Sequence, residues 1–169
     1  MKLAIIGADG QLGHEIGRVA DARGYQVERL TRRELDVARL ETIDDAVESL
    51  QVDALYNCSA YNQVDLAEEE RDLANLVNGS APARMANAAR RAGIRFVHFS
   101  TDYVFGQGHT TPIDESHRPD PLSAYGRSKR MGELGVLYAN PDALVVRTTG
   151  LYSARRKNFV TSMLNFARS

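Results

Sequence analysis

The chain has one cysteine, no tryptophan and no long apolar run. Because only Cys58 carries a thiol, an internal disulfide cannot form, and its apolar surroundings in the sequence favour a small buried thiol. The apolar stretch at residues 3–8 is shorter than the roughly 20 residues of a membrane span and lacks a signal-peptide pattern. We therefore expect a soluble, unprocessed protein in a reducing cytoplasm.

An excess of charge of one sign is also absent. The 169 residues include 21 Lys and Arg and 22 Asp and Glu, so no overall field would attract nucleic acid or an anionic membrane. A hydrophobic content of 43% fits one globular domain over residues 1–169. The histidines are scattered without ligand spacing, which predicts no metal site: His14, His98, His109 and His117.

Short β-rich runs alternate with helical stretches along the chain. Strands are predicted at residues 3–7, 25–31, 54–60, 94–100 and 143–149. Apolar residues recur at helical spacing over 11–24, 40–50 and 80–93, with Ser80 as the N-cap of the last. This alternation predicts an α/β fold with a doubly wound, Rossmann-like parallel sheet and helices on both faces. Ligands of such sheets bind beyond the carboxyl ends of the strands.

A glycine-rich turn follows the first predicted strand. Gly7, Gly10 and Gly13 have the spacing G-x-x-G-x-x-G and precede a predicted helix. Glycines let backbone N–H groups approach a pyrophosphate, and a helix N-terminus adds the positive end of its dipole. Any tight turn can use two glycines, so the motif alone is weak evidence. Its place at the start of a β-α-β unit favours dinucleotide binding.

The end of the second predicted strand bears on the choice of dinucleotide. NAD sites usually place an acidic residue there, roughly 20 residues past the glycines. This chain has Thr31, Arg32 and Arg33 at that point. Two arginines could pair with a 2′-phosphate, so we predict NADPH. NADH stays an alternative because Glu34 and Asp36 follow closely, and the arginines could also be solvated residues at a helix start.

Four polar residues are predicted to meet at the same rim of the sheet. Thr101 and Asp102 follow the fourth strand, and Tyr125 and Lys129 lie one turn apart on the next helix. A phenol, whose pKa is about 10, exchanges protons poorly at neutral pH unless a cation such as Lys129 stabilises the phenolate. Thr101 could hold a substrate carbonyl against the phenol while a nicotinamide supplies hydride. Only together with the glycine turn does this pattern predict a reductase.

These motifs resemble the extended short-chain dehydrogenases/reductases. Within that group, GADGQLG (7–13), STDYVFGQG (100–108) and YGRSKRMGE (125–133) are similar to the dTDP-4-dehydrorhamnose reductases. The similarity extends along the whole chain, and STDYVF is its most specific part. It implies an oxidoreductase of dTDP-rhamnose biosynthesis that uses NADPH or NADH. Such an enzyme reduces the C4 ketone of dTDP-4-dehydro-6-deoxy-L-mannose to dTDP-L-rhamnose.

The resemblance also implies roles for single residues. Tyr125 would donate the proton, Thr101 would hydrogen-bond beside it, and Lys129 would lower its pKa and bind the nicotinamide ribose. Asp102 would face the sugar, and Asn78 would serve helix packing or water organisation. Other cofactor contacts are implied at the pyrophosphate, the adenine and the middle of the cofactor: Gly10, Gln11, Leu12, Asp36, Val37, Ser59, Ala60 and Tyr61.

Other activities on the same fold remain alternatives. Related dehydratases typically follow the threonine with Asp-Glu, whereas Tyr103 follows Asp102 here, so elimination of water is disfavoured. A different sugar-nucleotide reductase or epimerase, or a non-catalytic regulatory subunit, stays open, as does a homodimer. Members of the family continue past the equivalent of Ser169. We therefore expect an incomplete domain that lacks a C-terminal substrate lobe and leaves the apolar side of its last helix uncovered.

Overall fold

Five parallel strands form a single sheet in a computed structural model that describes residues 1–108, 110–154 and 158–167. The predicted residue His109 and the last two residues of the chain lie outside these ranges. The strand order is β2-β1-β3-β4-β5, and all four neighbouring pairs are parallel. The strands are β1 (Lys2–Ile6), β2 (Gln26–Leu30), β3 (Ala54–Asn57), β4 (Arg95–Thr101) and β5 (Leu144–Thr148).

Helices connect the strands as the alternating pattern predicted. They are α1 (Gln11–Ala22), α2 (Ile43–Glu48), α3 (Arg71–Asn75), α4 (Ala81–Arg91), α5 (Ala124–Ala139) and α6 (Phe159–Phe166). A π-helical turn over Leu76–Ser80 joins α3 to α4. Ser80 precedes α4 at the N-cap position, but it already has helical angles and its side chain makes no capping hydrogen bond, so the predicted capping role is wrong.

The sheet carries helices on both faces, which confirms the predicted doubly wound fold. The main core fills the space under α2, α4 and α5 with fully buried side chains from both layers: Ile6, Leu55, Ile43, Met85 and Val136. On the opposite face α1 covers a smaller cluster, where Ala20 packs near Leu3 and Ala54. Burial of these apolar surfaces holds the strand ends in fixed positions.

The third strand is shorter than predicted, and its last side chain explains why. β3 ends at Asn57 instead of residue 60. The Oδ1 atom of Asn57 accepts hydrogen bonds from the Ser59 backbone N–H (3.1 Å) and from the Ser59 hydroxyl (2.6 Å). Such local bonds to an asparagine side chain favour a turn over continued pairing. The chain therefore leaves the sheet two residues before Ser59.

Two surface features complete the fold. No helix within the described residues is both long and apolar enough to span a membrane. On α6 several large apolar side chains are exposed, as the sequence led us to expect: Phe159, Met163, Leu164 and Phe166.

Helix α5 passes very close to the π-helical turn, and a glycine permits this approach. An added Cβ at Gly132 would lie 2.1 Å from the carbonyl oxygen of Asn78. Both residues are buried in the middle of the domain, so neither backbone can move away without disturbing the core.

We predict that Gly132→Ala lowers the free energy of unfolding by at least about 2 kcal/mol because the new methyl group overlaps the Asn78 backbone. Gly17→Ala in α1 is the matched control. Its Cβ would meet the Arg29 side chain at 3.2 Å, which can shift, and alanine favours a helix by about 1 kcal/mol over glycine. Urea unfolding of both variants checks this; equal stability of Gly132→Ala and the unsubstituted chain would contradict it.

Candidate functional site

The site begins where the strand order reverses between β1 and β3. Gly7, directly after β1, has a positive φ of 75° that favours glycine. A Cβ on Gly7 would lie 2.8 Å from the Ser59 backbone nitrogen, so a larger residue would separate the two turns. The turns after β1 and β3 therefore pack directly together at the crevice in which doubly wound proteins bind ligands.

The glycine turn leads straight into the N-terminus of α1. The Gly10 N–H donates to the Gly7 carbonyl oxygen at 3.0 Å, and Gly10 occupies the N-cap position without a capping side chain. Gly13 lets the helix approach the turn, because its Cβ would lie 2.4 Å from the Gly7 oxygen. The first N–H groups of a helix have no partner within the helix, so the start of α1 can bind an anion.

A cleft of about 300 Å³, here called the Arg32 cleft, opens on the β2 side of this turn. The sequence-predicted residues that line it are Gly7, Gly10, Arg32, Asp36, Val37, Ser59, Ala60 and Tyr61. Arg33 is not among its lining residues. The Arg32 guanidinium reaches Asp36 at 3.4 Å, but its side chain is 79% exposed. Exposed ion pairs of this kind contribute little to stability. Arg32 is therefore available to bind an incoming anion.

Glu34, the first acidic residue after β2, is already engaged. Its carboxylate accepts hydrogen bonds from the Thr31 hydroxyl and from the Thr31 backbone N–H, the latter at 2.9 Å. These bonds, the hydroxyl first, lower the pKa of Glu34. Glu34 thus closes the turn after β2 and does not line the cleft, whose charged lining residues are Asp9, Arg32 and Asp36.

A larger cleft of about 550 Å³, here called the Tyr125 cleft, opens on the β4 side. The predicted residues that line it are Gly10, Gln11, Leu12, Ser59, Ala60, Thr101, Asp102, Tyr125 and Lys129. Gly10, Ser59 and Ala60 line both clefts, so the two are joined across the switch point. Gly13 lines neither cleft and acts only through packing. Apart from Gly13, Arg33 and Asn78, the structure therefore brings the predicted site residues to one continuous crevice.

Tyr125 lies beside the strand-end residues that the sequence singled out. Burial raises the pKa of its phenol, the neighbouring Thr101 hydroxyl opposes that shift, and the Asp102 carboxylate adds to it. The Thr101 hydroxyl donates to Asp102 at 3.0 Å and accepts from the Tyr103 backbone N–H. The Tyr103 ring meets Tyr125 edge to face at 5.6 Å. At neutral pH the phenol is thus protonated and can donate.

Lys129 is deeply buried beneath the Tyr125 cleft. Only 3% of it is exposed, and its ammonium donates to the Phe99 carbonyl oxygen on β4 at 2.7 Å. Burial lowers its pKa to about 8, while Glu133 and Cys58 act in the opposite direction. Because the ammonium is directed to Phe99 here, stabilisation of a Tyr125 phenolate by Lys129 stays a prediction.

Buried hydrogen bonds fix the helix that carries both residues. Asn78 accepts from the Tyr61 N–H at 2.9 Å and donates to the Tyr61 carbonyl and to the Ser128 hydroxyl, each at 3.0 Å. Ser128 in turn donates to the Tyr125 carbonyl at 2.8 Å. This network ties Tyr61, which lines the Arg32 cleft, to the helical turn of Tyr125.

Two further contacts were not apparent from the sequence. Glu68 accepts from the Ala124 N–H at 2.6 Å, at the first residue of α5. Glu68 lies in the charged run AEEERD (67–72), whose side chains we would expect to face solvent, so the sequence gives no sign of this contact. Gln11 donates to the Leu151 carbonyl at 2.8 Å, which brings the segment after β5 over the start of α1. The rule that ligands lie beyond strand ends could have indicated this segment.

Among the described residues no group of three or more His, Cys, Asp and Glu side chains is arranged to hold a metal ion. The described residues of the crevice offer backbone N–H groups, hydroxyls, the buried ammonium of Lys129 and the exposed guanidinium of Arg32 as donors, beside the carboxylates of Asp9, Asp36 and Asp102. Donors of this kind suit a phosphorylated organic ligand.

The sheet order, the glycine turn and the joined clefts define a doubly wound, Rossmann-like α/β protein. A sequence model described as RmlD substrate binding domain matches residues 1–169, and the chain belongs to this family. A dTDP-4-dehydrorhamnose reductase of Burkholderia thailandensis is 43% identical, over 99% of this chain and 56% of the relative. A probable dTDP-4,6-dihydroxy-2-methyloxan-3-one 4-ketoreductase of Streptomyces antibioticus is 41% identical, over 97% and 56%.

Solved structures agree with these sequence relatives. The dTDP-4-dehydrorhamnose reductase of Bacillus anthracis, crystallised in complex with NADP, matches with a TM-score of 0.94 at 33% identity. The match covers 99% of this chain and 60% of that protein. The predicted resemblance is therefore confirmed, and the chain spans little more than half the length of the curated relatives it matches.

We predict that Lys129→Met raises the melting temperature at pH 7 by about 5 °C. The pKa of Lys129 is lowered from 10.5 to about 8, so between these values the unfolded chain binds more protons than the native one. The cost of burying the ammonium is complete below pH 8 and disappears as the pH approaches 10.5. The higher stability of Lys129→Met should therefore shrink as the pH rises from about 8 to 10.5.

Scanning calorimetry of both proteins from pH 7 to above pH 10 measures this difference, in which the titration of other groups cancels. An advantage that is absent at pH 7, or that grows with pH, would show that Lys129 is not a buried cation.

Proposed function

We propose that residues 1–169 form the dinucleotide-binding part of an NADPH-dependent reductase that converts dTDP-4-dehydro-6-deoxy-L-mannose to dTDP-L-rhamnose. The observation that carries this proposal is that Thr101, Tyr125 and Lys129 line one cleft that is continuous with the glycine turn. A short-chain dehydrogenase/reductase grouping and a cytoplasmic location follow from the same proposal. NADH stays an alternative reductant.

The residues present fit a dinucleotide. Gly7 and Gly13 let the turn after β3 and the start of α1 pack closely against the glycine turn, and the start of α1 offers N–H groups to a pyrophosphate. Arg32 lines the β2 side, where a 2′-phosphate would carry negative charge, while Glu34 is held by Thr31. The NADP complex of the Bacillus anthracis relative supports this assignment.

A reduced nicotinamide supplies hydride to a carbonyl carbon. The Tyr125 phenol, protonated at neutral pH, gives its proton to the ketone oxygen, so that the ketone becomes a secondary alcohol. Thr101 orients the ketone oxygen toward the phenol, and Asp102 faces the sugar hydroxyls. Lys129, with a pKa of about 8, is largely charged at pH 7 and offers donors to the ribose and a positive charge near the reacting phenol.

A second dTDP-sugar ketone is the alternative substrate. The Streptomyces antibioticus relative is 41% identical and is a probable 4-ketoreductase acting on a differently substituted sugar. Both reactions need the same proton donor and the same reductant, so Thr101, Tyr125 and Lys129 serve either one. Rates with the two sugars separate these candidates.

We predict that Tyr125→Phe slows NADPH oxidation with the dTDP-4-keto sugar by about 10²- to 10⁴-fold, because the phenol proton is lost. The affinity for NADPH should change by less than about threefold. The exposed Tyr138 on the same helix gives the control variant Tyr138→Phe, which should keep the parent rate. NADPH absorbance reports the rate. Full activity of Tyr125→Phe would refute the assignment, and rapid turnover by the parent chain would exclude a regulatory subunit.

We predict that Arg32→Ala weakens NADPH binding by about tenfold or more, since a charge-assisted hydrogen bond to the 2′-phosphate is worth about 1.5–3 kcal/mol. Binding of NADH should change little. Arg33→Ala is the matched control because Arg33 lies outside the cleft lining. Calorimetric titration of both dinucleotides decides the point, and an equal loss of NADH affinity in Arg32→Ala would contradict a 2′-phosphate contact.

A further inference from the structure

A buried pair of polar side chains lies directly beneath the site. Asn57 on β3 and His98 on β4 are register partners on adjacent strands, and both are at most 1% exposed. The Asn57 amide nitrogen and the His98 Nδ1 atom are 3.1 Å apart. Neither residue lies in the catalytic set, and no metal-ligand spacing accounts for the histidine.

The hydrogen bonds of Asn57 determine which way its amide points. Its Oδ1 atom accepts from both the N–H and the hydroxyl of Ser59. The amide nitrogen must therefore face His98, and Nδ1 of His98 must accept. The imidazole proton then lies on Nε2, and burial together with the nearby Lys129 charge keeps the pKa of His98 well below its ordinary value.

The remaining imidazole nitrogen shows that this arrangement is costly for the core. Nε2 of His98 is buried and has no hydrogen-bond partner among the described residues. A buried N–H without a partner lowers stability, and an apolar side chain at position 98 would avoid this loss. Gly132 of α5 lies on this side, and a Cβ added there would be 3.5 Å from Nε2. Stability alone therefore does not explain a histidine here.

The benefit of the histidine lies in the turn after β3. Ser59 lines both clefts, and its backbone nitrogen is the atom closest to an added Cβ on Gly7. If the Asn57 amide rotated, its nitrogen would face the Ser59 N–H, and two donors would oppose each other. The Ser59 turn would then lose the bonds that hold it against the glycine turn.

We propose that His98 is a positioning residue: its Nδ1 fixes the Asn57 amide, which in turn holds the Ser59 turn at the junction of the two clefts. The inference rests on the proposed dinucleotide site. His98 acts through Asn57 and Ser59 and does not itself line either cleft. The charge of Lys129 on α5 adds to burial in lowering the pKa of His98. The register partner of His98 on β5 is the uncharged Val145.

The test compares two substitutions by NADPH titration of the 169-residue chain. His98→Leu removes the acceptor, so the dissociation constant should rise about tenfold while the far-UV circular dichroism is unchanged. His98→Asn places an amide oxygen near the former Nδ1 position and should restore binding to within about threefold. Equal binding by His98→Leu and the parent chain would overturn the proposal, as would a failure of His98→Asn to recover binding.

A measurement on the unsubstituted chain keeps the proposal testable if His98→Leu does not fold. Long-range ¹H–¹⁵N spectra should show the proton of His98 on Nε2 and a slowly exchanging Ser59 amide; a proton on Nδ1 would overturn the inference. If the unsubstituted chain does not bind NADPH at all, the proposed function fails. The spectra then still decide whether His98 orients Asn57.

Discussion

The close contact between the turns after β1 and β3 is the constraint on which the rest of the site depends. Gly7 and Ser59 approach so closely that a Cβ added to Gly7 would lie 2.8 Å from the Ser59 backbone nitrogen. Because the glycine turn also begins α1, this contact aims the helix N-terminus at the crevice. The same contact joins the Arg32 cleft to the Tyr125 cleft, so one elongated ligand can occupy both.

Helix α5 places the chemistry on this frame. Its close passage at Gly132 and the Asn78 hydrogen bonds leave little freedom for Tyr125 and Lys129. A rigidly held phenol and ammonium in a buried setting can act on a substrate without prior reorganisation. Burial of the Lys129 ammonium lowers stability, and the lowered pKa of Lys129 reflects this loss of hydration. Stability is thus partly given up where the proposed reaction takes place.

The sequence predicted the strands and the fold class from local periodicity and glycine spacing, whereas crevice residues such as Ser59, Ala60 and Tyr61 were implied only by the family resemblance. It did not predict the early end of β3 at Asn57 or the contact of Glu68 with α5, since both depend on which side chains meet across long separations. The Ser80 cap was wrong for a related reason: the π-helical turn makes the chain helical before Ser80. Lys129 was correctly placed, yet its contact with Phe99 required the folded backbone.

The central claim is that the two clefts form one dinucleotide site, and a ¹H–¹⁵N titration of the chain with NADPH tests it most directly. The amides of Gly10, Leu12, Ser59 and Thr101 should shift together, with a single dissociation constant, because all four lie along the joined crevice. Shifts confined to the loop at residues 110–122, or no shifts at saturating NADPH, would contradict it.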